Sequence, residues 1–165
     1  MSAPAWLTIA AKYLGTHETP GPKSNSVIVA WAMYLTGWWR AYFTDDSAVP
    51  WCALFVNACL GEAGFKGTGT LRAADFATWG IQLQDRALGC VLVFRRPEGS
   101  HVGFYLGESP DALLVRGGNQ GDAVSDTWIQ KSRLIDQRWP FGCDVPPGGR
   151  VYYDAHGAPL SKDEK

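Results

Sequence analysis

The spacing of apolar residues changes halfway along the chain. Residues 5–14 and 51–59 carry apolar side chains three or four positions apart, which predicts amphipathic helices. After residue 89, short apolar runs alternate with turns rich in glycine and proline, which predicts strands of an antiparallel meander. Helices followed by strands are typical of an α+β fold in which the helices pack on one face of a sheet.

Four helices and five strands are predicted in detail. Ser24 or Asn25 is expected to cap the second helix, and Pro50 suits the first turn of the third. A loop containing Pro20 and Pro22 separates the first two helices, and residues 38–48 have no clear period. The predicted helices cover residues 5–14, 24–35, 50–61 and 71–79, and the predicted strands cover residues 90–94, 101–106, 112–115, 123–128 and 134–139.

Length and composition predict one globular domain. The chain has 165 residues, and a domain takes about 150. Hydrophobic residues make up 46% and charged residues 19%, which is ordinary for a packed protein. We expect residues 1–145 to form the domain and residues 146–165 to form a C-terminal extension that is partly flexible.

Charge and hydropathy argue against two classes of partner. The net charge is −1 and no basic block occurs, so we expect no nucleic-acid binding. No apolar run approaches the roughly 18 residues that span a bilayer, so we expect no membrane insertion. The first residues lack the basic and apolar regions of a signal peptide, which predicts synthesis in the cytoplasm.

The cysteines and histidines do not form a metal motif. No CxxC pair occurs, and the three histidines are scattered, so we expect neither a metal nor a cofactor. Cys59 falls within a predicted helix and Cys90 within a predicted strand, so both are expected in the core, while Cys143 is left unassigned.

Cys52 is the candidate nucleophile because it falls in the first turn of the third helix. Free amides and the helix dipole favour a thiolate at that position. His101, at the start of a predicted strand, is the candidate base, with His17 and His156 as rivals. Asn119 follows the next strand and is the candidate for orienting the imidazole, although asparagine in a glycine-rich turn often serves only the turn.

Two other interpretations stay open at this point. Cys52 can equally be a small buried hydrophobic residue, as most free cysteines are. Glu18 can act as a glycosidase acid if Asp45 or Asp46 supplies the second carboxylate that this reaction requires.

Four segments together resemble a known superfamily. They read HETPGPKSN at residues 17–25, DSAVPWCALFVN at 46–57, SHVGFY at 100–105 and GGNQ at 117–120. In this order they resemble the NlpC/P60 and CHAP superfamily of cysteine peptidases and amidases, in particular a phage-associated branch of peptidoglycan hydrolases. The resemblance covers about residues 4–140.

The resemblance implies a papain-like α+β fold and a set of catalytic roles. Cys52 maps onto the nucleophile, His101 onto the general base, and Asn119 onto the residue that orients the base. Gln120 takes the third role if the register shifts by one residue. Backbone amides near the cysteine are then expected to stabilise the oxyanion.

The sequence departs from the family pattern beside both motifs. Trp51 stands where the family usually has an acidic residue before the nucleophile, and Gly117 and Gly118 precede Asn119 where many CHAP proteins have a nearby glutamate. We expect Trp51, with Glu18 and Gln120, to contact the substrate, a core position for Trp51 being the alternative.

The resemblance therefore predicts a peptidoglycan hydrolase that cleaves an amide bond by a Cys-His-Asn mechanism. Endopeptidase and N-acetylmuramoyl-L-alanine amidase are both open. The expected partner is bacterial peptidoglycan, reached after release through a holin or through delivery machinery. The alternative is a catalytically inactive peptidoglycan-binding module of the same fold. It is suggested by the eight tryptophans and by the aromatic residues Trp38, Trp39, Tyr42 and Phe43.

Overall fold

Helices come first along the chain and strands follow, as the change of period predicts. The structure is a computed structural model that describes residues 3–19, 24–147, 149–154, 159–162 and 164. The α-helices are α1 (Ala5–Lys12), α2 (Ser26–Ala30), α3 (Trp38–Tyr42) and α4 (Cys52–Glu62). The strands are β1 (Ile81–Gln82), β2 (Val91–Arg95), β3 (Ser100–Glu108), β4 (Ala112–Gly117), β5 (Ser125–Gln130) and β6 (Leu134–Trp139). No helix within these described ranges is long and apolar enough to cross a membrane.

The helical half follows the sequence prediction with three differences. The Asn25 side chain caps α2 by accepting the Val27 amide at 2.8 Å, but the helix then tightens into a 3₁₀ helix at Trp31–Tyr34. The fourth predicted helix is a 3₁₀ helix, Ala73–Thr78. Helix α3 lies where no period was visible, because its five residues are too few to show one. The predicted loop at Pro20 and Pro22 falls outside the described residues.

All five predicted strands form, but the sheet is not a simple meander. The strand order is β1-β6-β2-β3-β4-β5, and every described pair is antiparallel. Strands β2 to β5 follow one another as predicted, whereas β6 crosses back to pair with β2. The sequence analysis missed β1, which has only two residues.

The link between β5 and β6 requires a curled sheet. Those two strands are separated by three others, which is about 19 Å in a flat sheet. The linking 3₁₀ helix, Lys131–Arg133, has three residues, which span at most about 14 Å. The sheet must therefore curl so that its two sides approach each other. Arg133 stabilises the curled sheet, because its Nε donates to the Arg95 carbonyl at 2.8 Å.

Helix α4 is buried on every side rather than on one stripe. All nine residues from 52 to 60 are buried. The Phe55 ring contacts Phe104 of β3, with centroids 6.1 Å apart, and contacts Trp31 on its other side at 5.5 Å. The sheet and the N-terminal helices thus enclose α4, and its first turn lies inside the protein.

The described residues beyond 146 pair with the sheet. Tyr152 bridges to Glu108 and Leu160 bridges to Trp128. The backbone of Glu108 anchors this region, since its amide donates to the Val151 carbonyl and its carbonyl accepts the Tyr153 amide, each at 2.7 Å. Its buried carboxylate accepts two bonds from Arg86 at 3.1 Å and one from Lys131 at 2.7 Å. Residues 148, 155–158, 163 and 165 lie outside the described residues, so the predicted flexibility of the extension stays a prediction.

Gly118→Ala tests how closely α4 packs on the sheet. A Cβ at this position would lie 2.7 Å from the Phe55 Cβ and 2.8 Å from the Trp51 ring. We expect the substitution to lower the free energy of unfolding by about 2 kcal/mol through overpacking, measured by chemical denaturation, and to shift the tryptophan emission.

Gly121→Ala is the matched control. A Cβ there meets nothing within 4 Å, so any loss comes from its φ of +68° alone, and the tryptophan emission stays unchanged. A Gly118→Ala protein as stable as wild type would contradict the close packing.

Candidate functional site

Cys52 is the first residue of α4 and opens onto a cavity of about 350 Å³, here named the thiol cavity. Its sulfur-bearing side chain is only 4% exposed. Two aromatic side chains, Trp39 and Tyr42, and two cationic side chains, Arg72 and Arg96, line part of the cavity. The thiol cavity thus offers a small electrophile a route to Cys52.

Opposing effects act on the Cys52 thiol. Burial raises its pKa above the ordinary value. The Val102 amide, the Arg96 guanidinium and the amides of Ala53 and Cys52 itself lower it. The helix N-terminus thus supplies the stabilisation of a thiolate that its position in the sequence predicts, but burial outweighs that stabilisation in the resting protein.

His101 lies in β3, directly before the residue whose amide faces the Cys52 sulfur. Its ring is fully buried and stacks on Phe94, its cross-strand partner, with centroids 6.5 Å apart. No hydrogen bond joins His101 to Cys52 in this structure, and the Nδ1 atom of His101 is buried without a partner. The two predicted catalytic residues are thus brought to neighbouring positions but are not yet paired.

Gln120 determines which nitrogen of His101 carries the proton. The Gln120 amide nitrogen donates to the carbonyls of Val115 at 3.1 Å and Ser125 at 2.6 Å, which fixes the orientation of the amide. Its oxygen therefore faces the Nε2 of His101 at 2.9 Å and must accept the proton there. The Nδ1 atom therefore carries no proton, and its lone pair makes no hydrogen bond. A general base requires such a lone pair.

Burial also sets the charge of the base. It lowers the pKa of His101 well below the ordinary value of 6.5, and the hydrogen bond to Gln120 opposes this only in part. His101 is therefore neutral at pH 7, and its Nδ1 is free to accept a proton.

Asn119, the predicted orienting residue, does not contact His101. The residue after it takes that position, as expected if the register shifts by one. Asn119 has a φ of +61°, which turns the backbone so that Gln120 points inward. The Oδ1 of Asn119 is buried and has no partner among the described residues. The structure thus brings His101 together with Gln120, and no hydrogen bond joins His101 to Asn119.

The two glycines before Asn119 have a steric reason. A Cβ on Gly117 would lie 2.7 Å from the Gln120 oxygen and 3.4 Å from the His101 Nε2. A Cβ on Gly118 would clash with the start of α4. The absence of side chains at these two positions therefore lets the imidazole, the Gln120 amide and the start of α4 come together.

Trp51 is part of the core and has no exposed surface for a substrate, unlike the predicted cleft wall. Its Nε1 donates to the Glu18 carboxylate at 3.0 Å. Gln120 is also 5% exposed and serves His101, so of the three predicted substrate contacts only Glu18 reaches an open cavity. Burial raises the pKa of Glu18, and the Trp51 indole acts against that rise.

A second cavity of about 350 Å³, here named the acidic cavity, adjoins the thiol cavity. The two share Val49 and Pro50 in their walls. The polar side chains that line the acidic cavity are Glu18, Asp46, Ser47, Asn119 and Asp122. A groove with one aromatic, cationic end and one acidic end thus crosses the start of α4.

The remaining cysteines and histidines do not join the site. Cys59 and Cys90 are buried, which confirms their predicted core positions, and burial raises the pKa of each thiol. His17 is exposed in the loop before α2, and His156 lies outside the described residues. Cys143 is half-buried near Trp139, whose indole donates to its carbonyl.

Arg96 was not predicted to belong to the site, and Trp39 and Tyr42 were predicted only as aromatic residues of a wall-binding module. Arg96 lies in the turn between β2 and β3, and an arginine in a turn does not by itself indicate a functional site. The two aromatic residues belong to α3, which showed no period. Their only signal was the cluster of aromatic letters at residues 38–43.

Within the described residues, no group of three or more His, Cys, Asp or Glu side chains is arranged to hold a metal ion. Comparison of the sequence with models of known protein families gives no match, and a search of curated proteins gives none either. The geometry of the site itself therefore carries the functional argument below.

The buried neutral imidazole predicts acid sensitivity. Because the pKa of His101 is lower in the folded protein, the unfolded chain takes up a proton that the folded one excludes as the pH falls below 6.5. Above pH 6.5 the titration of His101 does not lower the free energy of unfolding. Below pH 6.5 it lowers the free energy of unfolding by up to about 1.4 kcal/mol per pH unit.

Chemical denaturation at pH 7 and pH 5 measures this decline. His101→Gln should flatten it, whereas His17→Gln, at an exposed histidine, should keep the wild-type slope. Equal slopes in wild type and His101→Gln would show that the imidazole is not held neutral by burial.

Proposed function

We propose that this protein is a cysteine peptidase or amidase that hydrolyses an amide bond of bacterial peptidoglycan. One observation carries the proposal: the buried Nδ1 of His101 has no hydrogen-bond partner, Gln120 fixes the tautomer, and the amide of the next residue, Val102, bonds to the sulfur of Cys52 at a helix N-terminus. A core histidine that serves only packing would have both nitrogens satisfied. A nucleophile, a base and a residue that orients the base are the parts that thiol hydrolysis requires.

The reaction follows from these positions. His101 Nδ1 takes the thiol proton as the Cys52 sulfur attacks the amide carbonyl. The oxyanion faces the free amides at the start of α4, and the protonated imidazole gives its proton to the leaving amine. A thioester remains, which water cleaves with His101 again as the base, releasing a carboxylic acid and restoring the thiol.

The resting protein lacks the hydrogen bond between thiol and imidazole. Such bonds are often long in the absence of substrate and shorten in the complex. A substrate that fills the thiol cavity displaces water from Cys52 and strengthens the pull of Arg96 on the thiolate. Substrate binding thus favours the proton transfer to His101.

Peptidoglycan is the substrate class that the resemblance to NlpC/P60 and CHAP enzymes implies, and the groove suits it. Wall peptides carry carboxylates, which Arg72 and Arg96 attract, and they are linked to sugars, whose apolar faces stack on rings such as Trp39 and Tyr42. Access to the wall would follow release or delivery, as in a phage lysin, a virion-associated enzyme or a delivered toxin.

A second candidate is a wall-binding module of the same fold without activity. The exposed aromatic side chains of α3 favour it: Trp38 is 62% exposed and stacks on Trp39 with centroids 4.3 Å apart, and Tyr42 is 54% exposed. The arrangement of Cys52, His101 and Gln120 argues against it, since binding alone needs no bare base beside a thiol.

Cys52→Ala separates the two candidates. Purified peptidoglycan is incubated with wild type and variant, and the soluble products are analysed by mass spectrometry. We expect wild type to release fragments with new amine and carboxyl ends, whose masses identify the bond, and the variant to release none because it has no nucleophile.

Two outcomes would contradict the proposal. Binding of both proteins to the wall with no products would favour the binding module. Full activity of Cys52→Ala with new reducing ends would favour a glycosidase acting through Glu18.

Gln120→Ala tests the assignment of the third residue. It removes the acceptor that holds the Nε2 proton, so we expect kcat to fall about 100-fold and the pH profile of kcat to change shape. Gln120→Glu restores an acceptor and should recover part of the loss. Asn119→Ala should keep the wild-type profile shape, and a changed profile in that variant alone would return the role to Asn119.

A further inference from the structure

Two residues in the wall of the acidic cavity, Asp46 and Asn119, each have an oxygen atom that lacks any partner among the described residues. The Oδ1 atoms of Asp46 and Asn119 are buried, and the two residues are 1% and 3% exposed. The other carboxylate oxygen of Asp46 is already occupied, since it accepts the amides of Asn25 at 2.7 Å and Thr19 at 3.3 Å. Buried acceptors are nearly always satisfied, so these two mark a position that a hydrogen-bond donor fills.

The charge of the cavity specifies what kind of donor fits. Glu18, Asp46 and Asp122 contribute three carboxylates, and no lysine, arginine or histidine among the described residues lines the cavity. The neighbouring carboxylates, together with burial, raise the pKa of Glu18, as expected where negative charges are crowded without a cation. A compact cation with several N–H donors satisfies both the charge and the two oxygens, and a primary ammonium has these properties.

The cavity lies close to the reacting cysteine. Pro50 lines both cavities and is two residues from Cys52 along the chain. Two residues of extended chain span about 7 Å, so a group bound in the acidic cavity belongs to the cleaved residue or to one within about two positions of it.

We infer that the acidic cavity is a subsite for a primary ammonium group of the substrate. This inference rests on the proposed function for its choice of substrate. Two ammonium groups occur in a wall peptide: the side-chain amine of the diamino acid and, in a peptide freed from the sugar, the N-terminal amine. The subsite would place the scissile amide over Cys52 by holding the charged group on one side of it.

Binding of synthetic peptides to the Cys52→Ala protein tests the subsite without turnover. The reference peptide is acetyl-L-Ala-γ-D-Glu-L-Lys-D-Ala, which has a free side-chain amine. A second peptide is acetylated on that amine as well, and a third has a free N-terminus with the side-chain amine acetylated. Calorimetry in the presence of EDTA gives the three dissociation constants.

We expect acetylation of the recognised amine to weaken binding at least tenfold, and the second and third peptides identify which amine that is. Asp122→Asn, which suits the φ of +58° at this position, should reduce the ratio towards one. Asp111→Asn, at an exposed aspartate in the β3–β4 turn, removes the same charge elsewhere and should keep the ratio. Equal affinity for all three peptides, or no binding of any, would overturn the inference.

A last variant examines the chain's own ammonium. Lys23 lies outside the described residues and is near Asn25 in the sequence. If the three peptides bind wild-type Lys23 protein equally and discriminate only in Lys23→Gln, a group of the protein fills the cavity and the inference is overturned. If wild type cleaves peptidoglycan while the peptides bind equally, the subsite fails alone; if the peptides discriminate but nothing is cleaved, the proposed function fails alone.

Discussion

The burial of the α4 N-terminus against β3 is the constraint on which the site depends. A helix that begins inside the protein brings free amides and Cys52 into a region with little water, where their fields act strongly. The same burial raises the pKa of the thiol and lowers that of His101, so both groups rest neutral. The packing thus sets the position of Cys52 and keeps its thiol protonated at rest, so a neighbouring base must take the proton when the sulfur attacks an electrophile.

The chemistry of the base depends on a short stretch after β4. Gly117 and Gly118 leave room for the imidazole and for α4, and the left-handed backbone at Asn119 turns Gln120 towards the ring. Two backbone carbonyls hold the Gln120 amide, which in turn holds one tautomer of His101. The two bonds that orient the Gln120 amide are local, since Val115 and Ser125 each lie five residues from it, whereas His101 lies 19 residues away. A short segment thus positions the group that determines which nitrogen can act as a base.

The sequence predicted the order and type of most elements, because helices and strands of this length show their period. It placed Cys52 at a helix start and His101 at a strand start for the same reason. Asn119 was preferred to Gln120 as the residue that orients His101. Which of two adjacent residues points inward depends on backbone torsions, and residue types alone do not reveal these. Trp51 was expected to contact the substrate because it is next to the cysteine, but packing between α4 and the N-terminal helices buries it. The crossover of β6, the curl and the two adjoining cavities are tertiary features without a local signal.

The central claim is that His101 activates Cys52, and thiol reactivity tests it most directly. Iodoacetamide labelling followed by peptide mapping gives a rate for each of the four cysteines in wild type and in His101→Gln. Exposure alone would make Cys143 the fastest, since Cys52 is only 4% exposed. The account predicts that Cys52 reacts faster than Cys143 in wild type and loses this advantage in the variant. If the labelling rates follow exposure and do not change in His101→Gln, then His101 does not activate Cys52.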